Sequence, residues 1–356
     1  MSDPSKLSTR YTTMVVAALS LIVLTSLASI LPVPYVTLKP GPAFDTLGEF
    51  DGKPTFTFGK DVTTYPTTGS LDFTTVSVTR PGGHLSLAAA IAAYLDGDNA
   101  VVPKSLVYPD DQSARQSNAD SAAELTSSKD SSRVAALRAA GYTVSSRVAV
   151  TGLVKGGASE KLLKVGDVVT KIDGAAVSTP DQTVKAVGAR EPGETIDVTV
   201  ERKGGTKVVP IKSRPDQDDP TIPRIGITLG EKYRYPIAIT NNVGSQIGGP
   251  SAGTMFALAI YDNLTPGALT GGKRIAGTGE MGVDGTVGPI GGVRQKMAGA
   301  SAAGATIFLV PAANCSEATS GDDNGLMLVK ITKLDDAISS LESLAKDPKA
   351  TVPTCS

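Results

Sequence analysis

The sequence predicts an α+β protein with one membrane-crossing helix at its N-terminus, and three observations carry that prediction. Residues 13–31 hold no charged side chain and are mostly Val, Ala, Leu and Ile. Between residues 145 and 212, short Val/Ile/Thr runs are broken by glycine turns at hairpin spacing. From residue 237 onward, strand-like runs alternate with glycine turns and Ala-rich apolar helices. A length of 356 residues suffices for two or three compact domains, and 38 Gly with 23 Pro favour many turns over long helical bundles.

Composition also excludes functions. A net charge of -1 argues against a nucleic-acid partner. The single histidine, His84, removes most metal sites and histidine-based triads, and no metal or cofactor is expected. Cys315 and Cys355 suit neither a zinc site nor a redox pair. They are either free thiols or, outside the cytosol, a disulfide closing a loop of about 40 residues, worth roughly 4 kcal/mol by chain entropy.

Residues 13–32 are the expected anchor: the nineteen residues of the uncharged run 13–31, at ~1.5 Å rise, span roughly 28 Å, close to a bilayer core. Lys6 and Arg10 precede the run, so residues 1–12 are expected as a cytoplasmic tail. The globular part that follows is then expected to be extracytoplasmic, on a single-pass protein of the cell membrane. Ser26-Leu27-Ala28 resembles a cleavage site, but the apolar run continues past it to Leu31. The proline-rich segment 32–42 reads as extended linker. Residues 54–80 read as strands, 85–95 as an Ala-rich helix, 110–132 as a solvated or loosely helical stretch, and 133–140 as the end of a helix stopped by Gly141. Residues 33–132 have no role assigned by sequence alone.

A strand-rich unit is expected over 133–214. Strands are placed at 148–154 and 165–174, a short helix at 156–163, and a helix at 179–189 opened by Thr179 and Pro180. A hairpin joins 195–202 to 208–212. The run ASEKLLKVGDVVTKIDGAAV, followed by a helix and GETIDVTVERKGG, resembles a PDZ domain of the bacterial protease-associated type. PDZ domains bind peptide tails by adding a strand to a sheet edge. The resemblance places the carboxylate-binding loop at Gly141, Tyr142, Thr143 and Val144.

The C-terminal unit, residues 222–346 before a tail at 347–356, carries the chemistry. Ser251 lies in the turn Gly248-Gly249-Pro250-Ser251-Ala252-Gly253, between a strand at 237–240 and an apolar helix at 254–261. Free N–H groups at a helix start favour a developing anion, as an acyl-transfer nucleophile needs. The pattern G-x-S-x-G also occurs in α/β-hydrolases, but no histidine follows Ser251. A His84–Asp–Ser251 order would put the strand-rich unit between base and nucleophile. A lysine base needs its pKa brought from about 10.4 to near neutrality, which burial supplies. Lys296, flanked by Met297, Ala298 and Ala300, lies in the most apolar setting; Lys330, Lys333, Lys346 and Lys349 are in polar or terminal contexts.

The stretch GGPSAG…AGTGEMGVDGTVGPIGGVRQKMAGASAAGATIFLVPAAN closely resembles the proteolytic domain of Lon proteases. The resemblance implies Ser251 as nucleophile and Lys296 as general base, with Thr278 near the lysine amine and Gly249 and Pro250 shaping the turn. The order of anchor, PDZ and Lon-like domains resembles YlbL-type Lon-like proteins. Lon enzymes commonly carry an Asp where Gly248 stands, and they carry an ATPase module, which is not expected here. Residues 267–274 approach a nucleotide-binding pattern but end in Arg274, without the metal-binding hydroxyl; no nucleotide is expected. Glu280 and Asp284 flank the same stretch and either orient substrate or are solvated turn residues. The expected function is an ATP-independent, membrane-anchored serine endopeptidase acting on exported or unfolded polypeptides, with the PDZ unit binding substrate or gating access. The alternative is a non-catalytic PDZ adaptor. Lon domains often form rings, so a homo-oligomer is an expectation carried by the resemblance alone.

Overall fold

The computed structural model describes residues 4–80, 82–109 and 113–356, with side chains from residue 9 onward. The first three residues of the expected tail, the Lys6 side chain and residues 110–112 lie outside the described residues. The chain divides into two compact units: one joins the segment up to Gly141 to the segment from Ile237, and the other is Tyr142–Pro236.

Helix α1 (Pro4–Ile30) contains Thr9–Ile30, long and apolar enough to cross a membrane. Thr25 and Ser29 return their hydroxyls to the carbonyls of Leu21 and Thr25, so neither presents an unbonded polar group. The proline-rich segment expected as linker is instead mostly strand β1 (Tyr35–Asp45), which pairs with β2 (Ser70–Val78) and β3 (Ala100–Pro103). Its prolines are tolerated because the β1–β2 register shifts between Pro40 and Ala43, where the ladder is interrupted. Helix α2 (Leu87–Leu95) is capped by Ser86, and α3 (Lys104–Val107) follows β3 directly.

Helix α4 (Ala114–Ala139) is one continuous helix where the sequence suggested a loose stretch and a separate helix end. Its polar composition misled because two of its serines do not face solvent. Ser128 and Ser132 are buried with Leu125, Val134 and Leu137, and small residues let α4 approach the catalytic unit closely.

The second unit is an antiparallel sheet in the order β7-β6-β5-β4-β8, formed by β4 (Ser145–Leu153), β5 (Val168–Ile172), β6 (Thr195–Arg202), β7 (Gly205–Lys212) and β8 (Ile227–Arg234). Helix α5 (Pro180–Gly188) has Thr179 accepting from the Gln182 N–H. The core gathers Val148, Val150, Ile172, Ile196, Val198 and Ile211. Residues 156–163 form hydrogen-bonded turns rather than the expected helix. Strand β8 lies beyond residue 214, where the sequence reading ended this unit, and helix α4 ends before Tyr142.

Helix α6 (Gly253–Leu264), β9 (Arg274–Gly277), α7 (Val293–Ala302), β10 (Ile307–Pro311), α8 (Cys315–Ala318), β11 (Met327–Ile331) and α9 (Leu334–Lys346) complete the first unit. Its sheet runs β11-β10-β9-β2-β1-β3, with β11 to β2 parallel and β1 antiparallel to both neighbours. Residues 33–132 thus supply half the strands of this six-stranded sheet. Helix α7 crosses β1 at Gly41, where a Cβ on Gly299 would lie 2.5 Å from the Gly41 carbonyl oxygen. The prolines and glycine of β1 mark the seat of the helix that carries Lys296.

Candidate active site

The turn before α6 presents Ser251 at a helix start. Gly249 has φ +82°, a left-handed conformation that glycine adopts without penalty. The Ser251 carbonyl accepts from the Gly279 N–H at 2.9 Å and from the Thr278 hydroxyl at 3.0 Å. With its proton committed there, the Thr278 oxygen accepts from Lys296 Nζ at 3.1 Å. A continuous relay therefore joins Lys296 to the backbone of Ser251.

Lys296 is 4% exposed. It sits on α7 among Val293, Met297 and Ala300, all fully buried. Burial pulls its pKa down to about 8, partly opposed by the negative charges of Glu280 and Glu317. Ser251 and Lys296 line one cavity of about 460 Å³, together with Phe44, Phe73, Ile290 and Glu280. Strand β2 runs along it: β9 pairs only with Ser70–Phe73, leaving the β9-side edge of Thr74–Ser77 facing the cavity.

Helix α4 holds the Ser251 turn from behind, which the sequence did not reveal. The Ser121 carbonyl accepts from the Gly249 N–H at 3.0 Å, Ser128 donates to the Pro250 carbonyl at 2.8 Å, and Ser132 donates to the Gly253 carbonyl at 2.8 Å. Lys129 donates to the Val243 carbonyl, and burial lowers its pKa. A Cβ on Gly248 would lie 3.0 Å from Ser121 Cβ. The space for a side chain at 248 is thus occupied by α4, which accounts for glycine there. The serines of α4 alternate with Ala and charged residues, so no motif marks them.

Asn314, buried beside the cavity, brackets Ile290 by accepting from its N–H at 2.9 Å and donating to its carbonyl at 2.8 Å. The next residue, Cys315, is bonded to Cys355 with Cα atoms 5.1 Å apart. The bond fixes the tail beside β11, where the Lys330 and Cys355 N–H groups bond to the Pro353 and Leu328 carbonyls. Asp284 accepts from the Thr286 N–H and hydroxyl and serves its own turn. In the segment 267–274, Lys273 donates to the Leu344 carbonyl at 2.6 Å, and a Cβ on Gly271 would lie 2.8 Å from Ala345 Cα. That segment is packed against α9 rather than open to a phosphate.

The second unit has a groove of about 530 Å³, and residues 141–144 do not line it. They lead into β4, which is hydrogen-bonded to β5 on one side and β8 on the other and has no free edge for a peptide. The groove instead runs between α5, through Val184 and Val187, and β8, which is the edge strand, with Arg224-Ile225-Gly226-Ile227 at its end. Gly226 has φ +73°, and a Cβ there would lie 3.0 Å from Gly157 Cα, so this close turn requires glycine. The overlooked signal is a loop-then-alternating-strand pattern at 225–229, after rather than before the unit.

Residues 123–212 match the family model of the PDZ domain, and residues 243–341 match that of the Lon protease (S16) C-terminal proteolytic domain. The Lon protease of Heliobacterium modesticaldum is 33% identical over 113 residues, covering 30% of this chain and 14% of that protein. The Lon protease of Methylocella silvestris is 36% identical over 104 residues, 28% of this chain and 13% of that protein. The chain therefore spans about one seventh of the length of these relatives. Among solved structures, the PDZ domain of the SdrC-like protein from Listeria monocytogenes is 25% identical, covering 23% of this chain and 86% of that one, with a TM-score of 0.22. The chain carries a PDZ domain, a Lon-type proteolytic domain and an N-terminal apolar helix.

Proposed function

We propose that this Lon-like protease is a membrane-anchored serine endopeptidase that cleaves exported or unfolded polypeptides without ATP. Ser251 is the nucleophile and Lys296 the general base. The observation that carries the reading is the buried Lys296 amine, with its pKa near 8, in the same cavity as Ser251 and bonded to Thr278.

A substrate strand lies along the open edge of β2, with its scissile carbonyl against Ser251. Neutral Lys296 takes the Ser251 proton as Oγ attacks the carbonyl carbon, and the carbonyl electrons move to oxygen. Backbone N–H groups around Ser251 stabilise that oxyanion. Protonated Lys296 then passes the proton to the leaving amine, and the acyl group remains on Ser251. Water, deprotonated by Lys296, releases the acyl group and restores the serine. Thr278 aims the amine throughout, because its own proton is held by the Ser251 carbonyl. An apolar wall of Phe44, Phe73 and Ile290 excludes water from the lysine.

The PDZ unit takes a substrate tail in the groove between α5 and β8, adding it as a strand beside β8 with its terminal carboxylate at Arg224–Ile227. The test is paired: Ser251→Ala and Lys296→Ala should each abolish cleavage of an unfolded substrate while circular dichroism stays unchanged. Full activity in Lys296→Ala would sink the dyad. A serine-reactive probe separates enzyme from adaptor, since labelling of Ser251 that depends on Lys296 is expected only of the enzyme.

A further inference from the structure

An apolar surface is left uncovered where α1 ends. Helix α2 is built wholly of Leu, Ala, Ile and Tyr, yet only Ala90 and Ala93 are buried. Ile91 is 51% exposed, and Tyr94 and Leu95 are each 77% exposed. A helix on a water-facing surface turns polar residues outward, and this one has none to turn. Leu106 of α3 is 76% exposed, and Tyr35 is exposed as well. Such a patch marks an interaction surface.

The backbone ties this surface to the exit of α1. The Leu87 N–H, at the start of α2, donates to the Leu31 carbonyl at 3.0 Å. Pro32 and Val33 pair with Ser86 and Leu85. The Lys104 N–H, at the start of α3, donates to the Pro34 carbonyl at 3.0 Å. Both short helices are therefore fastened to the four residues after α1, and the exposed apolar side chains continue from the apolar surface of α1 itself. Asp96 and Asp98 follow Leu95 at once, bounding the patch with charge.

We propose that α2, with Leu106 and Tyr35, is a lipid-binding face that lies in the headgroup–acyl boundary of the bilayer crossed by α1. The proposal rests on reading α1 as a membrane anchor. The occupant is lipid rather than protein because the face is continuous with the membrane span and carries tyrosines at the level where amphipathic rings settle. Its chemistry is that of an interfacial helix, and it gives the catalytic unit a second attachment to the membrane. A single span leaves a domain free to tilt, whereas a span plus an adjoining interfacial helix holds the catalytic unit against the surface.

The test uses the full chain in phosphatidylcholine/phosphatidylglycerol vesicles. Both native cysteines are bonded to each other, so one added cysteine gives one labelled position. Leu95→Cys and Ile91→Cys carry an environment-sensitive fluorophore, with Leu21→Cys on α1 and Glu342→Cys on the exposed face of α9 as references. Lipids bearing a nitroxide at the headgroup boundary should quench labels at 91 and 95 several-fold more than the label at 342. A label at 21 held in lipid while 91 and 95 behave like 342 would overturn the proposal and leave the anchor standing. Labels at 91 and 95 in lipid with 21 in water would overturn the anchor and, with it, the proposal of a face adjoining a membrane span. Labels at 91 and 95 shielded without nitroxide quenching, and freed on dilution, would show a second copy covering the face and overturn the proposal. All labels in water would overturn both.

Discussion

The proposed role of Lys296 as base sets a numerical expectation for the pH dependence of cleavage. Only the neutral amine accepts the Ser251 proton, so the rate tracks the neutral fraction. With a pKa of about 8, roughly one lysine in eleven is neutral at about pH 7 and roughly ten in eleven at about pH 9. The value of kcat/KM should therefore rise about tenfold across that interval and level off near pH 9. A solvated lysine at about 10.4 would give about a hundredfold rise with no plateau. The assay is initial-rate cleavage of a fluorogenic unfolded polypeptide at constant ionic strength, with denaturant unfolding at each pH as control. Glu280→Gln removes a charge that holds the amine pKa up, so the midpoint should move to lower pH. Stability carries the matching sign. The unfolded chain binds the extra proton between about pH 8 and 10, so folding stability from this group is lowest below pH 8 and increases by roughly 3 kcal/mol as pH rises through that window. A profile flat across the interval, or still climbing steeply at its upper end, would refute the assignment of Lys296 as base.

Three other perturbations test separate parts of the structure. Gly248→Asp, which restores the carboxylate common in Lon enzymes, should lower kcat rather than raise it, because a Cβ there meets Ser121 at 3.0 Å; steady-state kinetics, with Ser121→Gly as partial rescue, checks this. Cys355→Ser opens a 40-residue loop and should cost roughly 4 kcal/mol by chain entropy, read by urea unfolding under non-reducing conditions. Val184→Asp places a charge in the groove between α5 and β8 at a half-exposed site. It should abolish binding of a peptide with an apolar C-terminal residue, measured by fluorescence anisotropy, with cleavage of short peptides unchanged.

Much of the site was legible because its chemistry is written locally. Ser251 stands in a glycine turn at a helix start, and Lys296 stands among Met and Ala, so each residue announces its own environment. The bond from Lys296 to Thr278 spans 18 positions and entered only through the Lon resemblance. The role of α4 was illegible for a physical reason: Ser121, Ser128 and Ser132 look solvated by composition, and only the close approach of α6 turns their hydroxyls and carbonyls into partners for the turn. The strand at 35–45 was hidden by prolines that occupy a bulge. The groove of the second unit was misplaced because the sequence cannot say which flank of β4 is already paired.

The catalytic sheet also sets an order on its own making. Strand β2 pairs with β9 at Ser70 and Arg274, so more than half the chain must emerge before the central pair of strands can meet. The second unit, built from consecutive residues, is complete long before that. Helix α4 and the early strands are therefore left waiting with their apolar faces unpaired while an already folded domain separates them from their partners. Closing that distance is a late, long-range step of the kind that folds slowly and exposes strand edges to neighbours.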